Sequence, residues 1–140
     1  MKYNDIIGSI KRKVYHPIYL LMGDEPYYTD KITELLESSV LDDMEKEFNQ
    51  TIMYGREATV GNILECAKRF PMMSNQQVVI VKEAQDLKKV EDLESYVENP
   101  LDTTILVLAW KHKKFDKRKR IAKLIAEKGV LFESKKLYES

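Results

Sequence analysis

The 140 residues, with 23 Lys and Arg matched by 23 Asp and Glu, have the size and make-up of one ordinary soluble domain that buries a core unaided by disulfide or metal. Zero net charge argues neither for nor against a nucleic-acid partner, so only the local distribution of charge bears on one. The only cysteine, Cys66, excludes an internal disulfide and fits the reducing cytoplasm, while no run nears the ~18 apolar residues of a membrane span and the amphipathic start has no signal-peptide core.

In chain order, Ile6, Ile7, Ile10 and Val14 predict an opening helix with these side chains inward. Ile18-Tyr19-Leu20-Leu21-Met22 follows as a strand. Pro26, suited to a first helical position, precedes the stripe Tyr28, Ile32, Leu35, Leu36 and Val40. A weaker strand covers 51–54. Thr59 as N-cap opens a helix with Val60, Ile63, Leu64 and Ala67 on one face, and Phe70 continues that stripe as a core residue. Val78-Val79-Ile80-Val81 is the third strand, and Leu87, Val90, Leu93 and Val97 form a further helical stripe. Ile105-Leu106-Val107-Leu108-Ala109 is the fourth strand. Ile121, Ala122, Leu124 and Ile125 mark a last helix, opened by Asp116 and closed by Gly129 as a C-terminal cap. Val130-Leu131-Phe132 ends the series.

These apolar runs are short, β-branched and nearly continuous, as in strands covered on both faces. Strict alternation with helices implies right-handed crossovers and a parallel sheet between two helical layers. The expectation is a single three-layer α/β domain over residues 1–140. Periodicity leaves the strand order open.

Ligands of such sheets bind beyond the carboxyl ends of the strands. At the first tip a phosphate loop would need several glycines, a lysine and a hydroxyl. Instead Gly23 stands alone, Asp24 and Glu25 would repel a phosphate, and Pro26 removes a backbone donor. At the third tip Lys82 occupies the place of a magnesium-holding Asp. The same lysine sets aside a phosphoacceptor domain, whose chemistry needs an aspartate there. His16 and His112 lie far apart and read as surface residues, and no Cys/His spacing suggests a metal. Neither an enzyme nor a cofactor is expected.

Two segments exceed what a plain domain requires. In Phe70-Pro71-Met72-Met73-Ser74-Asn75, Pro71 should stop the helix, leaving two adjacent methionines in a connecting loop. Either they tuck under the sheet edge, or they form an apolar tip shaped for a partner's pocket. The run from Lys111 to Arg120, including Lys113, Lys114, Lys117 and Arg118 with Phe115 near for stacking, is either a solvated loop and helix face or a contact for phosphates.

The segment Pro17-Ile18-Tyr19-Leu20-Leu21-Met22-Gly23-Asp24-Glu25-Pro26-Tyr27-Tyr28 resembles the opening of the bacterial DNA polymerase III delta subunit (clamp loader) family. Phe70-Pro71-Met72-Met73-Ser74-Asn75-Gln76-Gln77-Val78-Val79-Ile80-Val81-Lys82 is similar to that family's second signature, and Leu101-Asp102-Thr103-Thr104-Ile105-Leu106-Val107-Leu108 to its fourth strand. The resemblance implies a degenerate, RecA-like AAA+ domain without ATP binding, at the front of a longer protein whose lid and collar domains do not follow Ser140. It implies binding of the beta sliding clamp through Pro71, Met72 and Met73, bordered by Phe70 and Ser74, and the opening of that ring. Many family members carry aromatic or leucine residues where this chain has the two methionines. Other clamp-loader subunits would be met through the absent domains, and DNA indirectly or weakly. The alternative is a nucleic-acid-binding module using residues 111–123.

Overall fold

The computed structural model describes residues 1–112 and 115–135. After helix α1 (Tyr3–Lys11), strand β1 (Ile18–Gly23) leads into α2 (Pro26–Ser39) and α3 (Asp43–Asn49). Then come β2 (Gln50–Tyr54), α4 (Val60–Ala67), β3 (Gln77–Lys82), two 3-10 turns (Ala84–Asp86 and Val90–Leu93) and α5 (Glu94–Glu98). The chain closes with β4 (Thr104–Ala109), α6 (Arg120–Lys128) and β5 (Val130–Ser134). All four strand pairings are parallel, and the five-stranded order is β2-β3-β4-β1-β5.

Strand period sorts β1 between two cores. Ile18, Leu20 and Met22 face α4, α5 and α6 through Ile63, Val97, Ile121 and Ile125. Tyr19 and Leu21 face α1 and α2 through Ile6, Ile10, Ile32 and Leu36. Both β1 and β4 are buried along their whole length, which accounts for their unbroken apolar sequences. The expected three layers are therefore present. Among the described residues no helix is long and apolar enough to cross a membrane.

Three local expectations are corrected. Helix α1 stops at Lys11, and Lys13 takes a left-handed conformation with φ 62°, so Val14 points outward. The stripe from Leu87 to Val97 is not one helix, because Lys89, at φ 57°, breaks it ahead of the Val90–Leu93 turn and only Glu94–Glu98 is α-helical. Asp116 does not open the last helix; its carboxylate accepts from the Arg118 N–H at 3.0 Å, and α6 starts at Arg120. Gly129 caps the end of α6 as expected, with φ −148°. Its requirement is space: a Cβ there would lie 2.2 Å from the Ile18 carbonyl oxygen.

Helix α3 had no counterpart among the predicted elements. Asp42 caps it, accepting from the Glu45 N–H at 2.8 Å while the Glu45 carboxylate accepts from the Asp42 N–H at 3.0 Å.

Candidate functional site

Helix α4 ends at Ala67 for two reasons. Pro71 disfavours helical backbone at the residue before it. The buried Gln77 amide, from the start of β3, also gathers the helix's orphan carbonyls. Its Nε2 donates toward Cys66 O at 3.0 Å and Arg69 O at 2.5 Å, and bridges to Thr104 Oγ1 at 2.8 Å. Thr104 Oγ1 in turn donates to Ala67 O at 2.7 Å. The segment between Ala67 and Gln77 therefore leaves the body from a hydrogen-bonded base.

That segment carries Phe70, Met72 and Met73 at 77%, 58% and 94% exposure. The helix has already ended before Phe70, so Phe70 lies in solvent and not in the core, correcting the sequence reading. Of the two readings left open for the methionines, the outward one is the geometry found. Met73 adopts φ 56°, which non-glycine residues rarely take.

The finger leans on α3. Asn49, buried at the end of that helix, accepts from the Met72 N–H at 2.6 Å and donates to the Met72 carbonyl at 2.7 Å. The Asp42 N–H, followed by the Ser74 hydroxyl, holds the Glu45 carboxyl below its ordinary value. Such a lowered value contributes stability that is complete above the unfolded glutamate range and is lost as pH falls through the folded value. On the outer face of α3, Met44 and Phe48 are 80% and 63% exposed. With Met72, Met73, Asp42 and Glu45 they line a groove of about 290 Å³. Sequence reasoning missed both residues, yet two signals were there. Asp42 and Glu45 have capping-box spacing, and Met44 and Phe48 stand four apart, on one helical face.

At the opposite, carboxyl end of the sheet, the Gly23-Asp24-Glu25 turn is filled by the protein itself. Ser134 Oγ of β5 accepts from the Glu25 N–H at 3.2 Å and donates to the Glu25 carbonyl at 2.8 Å. The Glu25 carboxylate caps α2, accepting from the Tyr27 N–H at 3.2 Å, with Pro26 at the first helical position. A carboxylate of the chain thus sits where an anion would meet the helix N-terminus. Beside it is a cleft of about 520 Å³ lined by Asp30, Lys82, Glu83 and Lys111 among others. Two of its lysines are paired: Lys82 to Glu37 at 3.0 Å, and Lys111 to Asp30 at 3.3 Å and Glu83 at 3.9 Å.

The basic segment is laced with acids in the same way. Lys117 meets Glu133 at 2.6 Å, Arg118 meets Asp116 at 3.1 Å, and Arg120 meets Glu94 at 3.0 Å and Glu98 at 2.6 Å. Phe115 is not a stacking platform. It is buried edge-on against Trp110, with ring centroids 4.8 Å apart. Lys113 and Lys114 lie outside the described residues. The His16 ring packs edge-on to Tyr19, and among the described residues no group of three or more His, Cys, Asp or Glu is placed to hold a metal.

The family described as DNA polymerase III, delta subunit, matches residues 19–135. The chain is 30% identical over 143 aligned residues to the DNA polymerase III subunit delta of Bacillus subtilis, covering 95% of this chain and 41% of that protein. The chain therefore spans well under half of that relative's length. Its structure is similar to the Bacillus subtilis DNA clamp loader delta protein, with TM-score 0.84 and 30% identity over 97% of this chain and 43% of that one. A gamma subunit-related DNA polymerase III protein of Thermotoga maritima shares the fold alone, with TM-score 0.66 and 14% identity over 99% of this chain and 47% of its own. What is shared is the α/β fold, a five-stranded parallel sheet between two helical layers.

Proposed function

The chain belongs to the DNA polymerase III delta subunit family, and on that premise we propose that the finger at 70–74 grips the beta sliding clamp and helps open the ring for loading onto DNA. The observation that carries this reading is the adjacent pair Met72 and Met73, exposed on a hydrogen-bonded base. Large apolar side chains held in water are a standing cost that a partner's pocket removes. Methionine, flexible and polarisable, fills such a pocket well. Met44 and Phe48 widen the contact on the α3 side. To open a ring, the domain must bind the opened form more tightly than the closed one, because a ligand shifts an equilibrium only by its differential affinity.

ATP plays no part in this domain's own chemistry under this reading. The Glu25 cap, the Ser134 bonds and the lone glycine support it. Millimolar Mg-ATP is accordingly expected to leave the Tm of the domain unchanged, since only a ligand of the native state raises it. A saturable rise would revive a nucleotide site. Other loader subunits would dock on parts of the longer relatives that this chain does not span. DNA is a secondary partner at most, because Lys111, Lys117 and Arg118 already face carboxylates.

The decisive experiment is a calorimetric titration of the domain into the beta clamp from the same source. Saturable binding is expected; no detectable heat or complex at high concentrations of both would remove the proposal.

A further inference from the structure

We infer that α3 is the mount of the finger and that Asn49 is the positioning residue which holds the methionines in their presenting geometry. The inference rests on the clamp-binding reading for its consequence, though not for its structural content. Asn49 satisfies both backbone groups of Met72, at 2.6 and 2.7 Å, as a neighbouring strand would. Its Nδ2 also donates to the Glu45 carbonyl at 3.0 Å, so the side chain is locked to its own helix while it holds the loop. These bonds hold the residue just before Met73, whose φ of 56° is a conformation that persists only where the surroundings fix it.

Asn49 is itself buried. Its role is to reduce the number of conformations that binding must discard. Preorganisation of this kind raises affinity by lowering the ordering cost at the interface. The loss on removing Asn49 should therefore appear only when there is a finger to order.

The test is a double-mutant cycle with hydrogen exchange. Asn49→Ala is expected to weaken clamp binding roughly fivefold in the native background and less than about twofold when Met72→Ala and Met73→Ala are already present. In the free domain, amides of 70–75 should exchange faster while those of 60–67 and 77–82 keep their protection. Asn49→Asp, nearly the same shape, keeps the acceptor for the Met72 N–H and loses the donor, and serves if the alanine variant does not fold; an intermediate loss is expected of it. An equal loss in both backgrounds, or unchanged exchange at 70–75, overturns the inference. Failure of the methionine variants to change affinity would instead sink the clamp-binding reading, and the exchange data would still decide the role of Asn49.

Discussion

Replacing Met72 and Met73 together by alanine is expected to weaken binding to the beta clamp at least tenfold, because truncating a buried interface anchor costs about 2 kcal/mol or more and each ~1.4 kcal/mol is a factor of ten. Neither side chain takes part in the domain's core. The free variant should therefore unfold within about 2 °C of the native domain, as surface substitutions usually stay within ~0.5 kcal/mol. The pairing of these two results carries the weight. Lost affinity with lost stability would point to an unfolded tip, and retained affinity would show that the clamp is held elsewhere. Titration calorimetry and a thermal melt on the same preparation decide it.

The largest loss of stability is expected at Gly23. Its φ of 128° lies where L side chains rarely go, and an added Cβ would meet the Ser134 carbonyl oxygen at 2.3 Å. The turn cannot step aside, because Gly23 is in register with Ser134 in the β1–β5 pairing. Gly23→Ala should cost roughly 3 kcal/mol or more, from backbone strain and overpacking together, and lower Tm by about 10 °C. Gly61 is the control. It lies in the first turn of α4, where a Cβ would find its nearest neighbour, Thr59 Oγ1, at 3.7 Å. Gly61→Ala should leave stability unchanged or raise it by about 0.5 kcal/mol. Denaturant midpoints for the two variants should therefore move apart; similar midpoints would refute the packing account of Gly23.

Much of this was legible because the parallel sheet leaves a strong mark. Strands such as β1 and β4, buried on both faces, have nowhere to place a polar residue, so their sequences announced them. The loop that carries the methionine pair was legible too, since Pro71 ends the helix where two large apolar residues follow, while periodicity left open whether they face in or out. What escaped was decided by tertiary bonds. The position of Phe70 depends on Gln77 capturing the end of α4 from ten residues downstream of Ala67. Periodicity alone extended the helix through it. Helix α3 escaped because its apolar residues, Met44 and Phe48, face solvent, so no inward stripe betrays it. The basic segment misled for the opposite reason. Its charges look free in one dimension, whereas their partners Glu94, Glu98 and Glu133 arrive from elsewhere in the chain.

Residues 70–74 precede β3, and Asn49 immediately precedes β2, so the proposed gripping surface stands at the amino ends of the strands. The Gly23 turn stands at the carboxyl end, six residues of strand or roughly 20 Å away. Between them lies a slab packed on both faces, and such interiors yield little to compression. Under the clamp-binding proposal such a domain would work as a stiff lever. A neighbour that takes hold of its carboxyl end and turns it swings the fingertip by the same angle, so the tip can be aimed or withdrawn without any side chain along the way changing its rotamer.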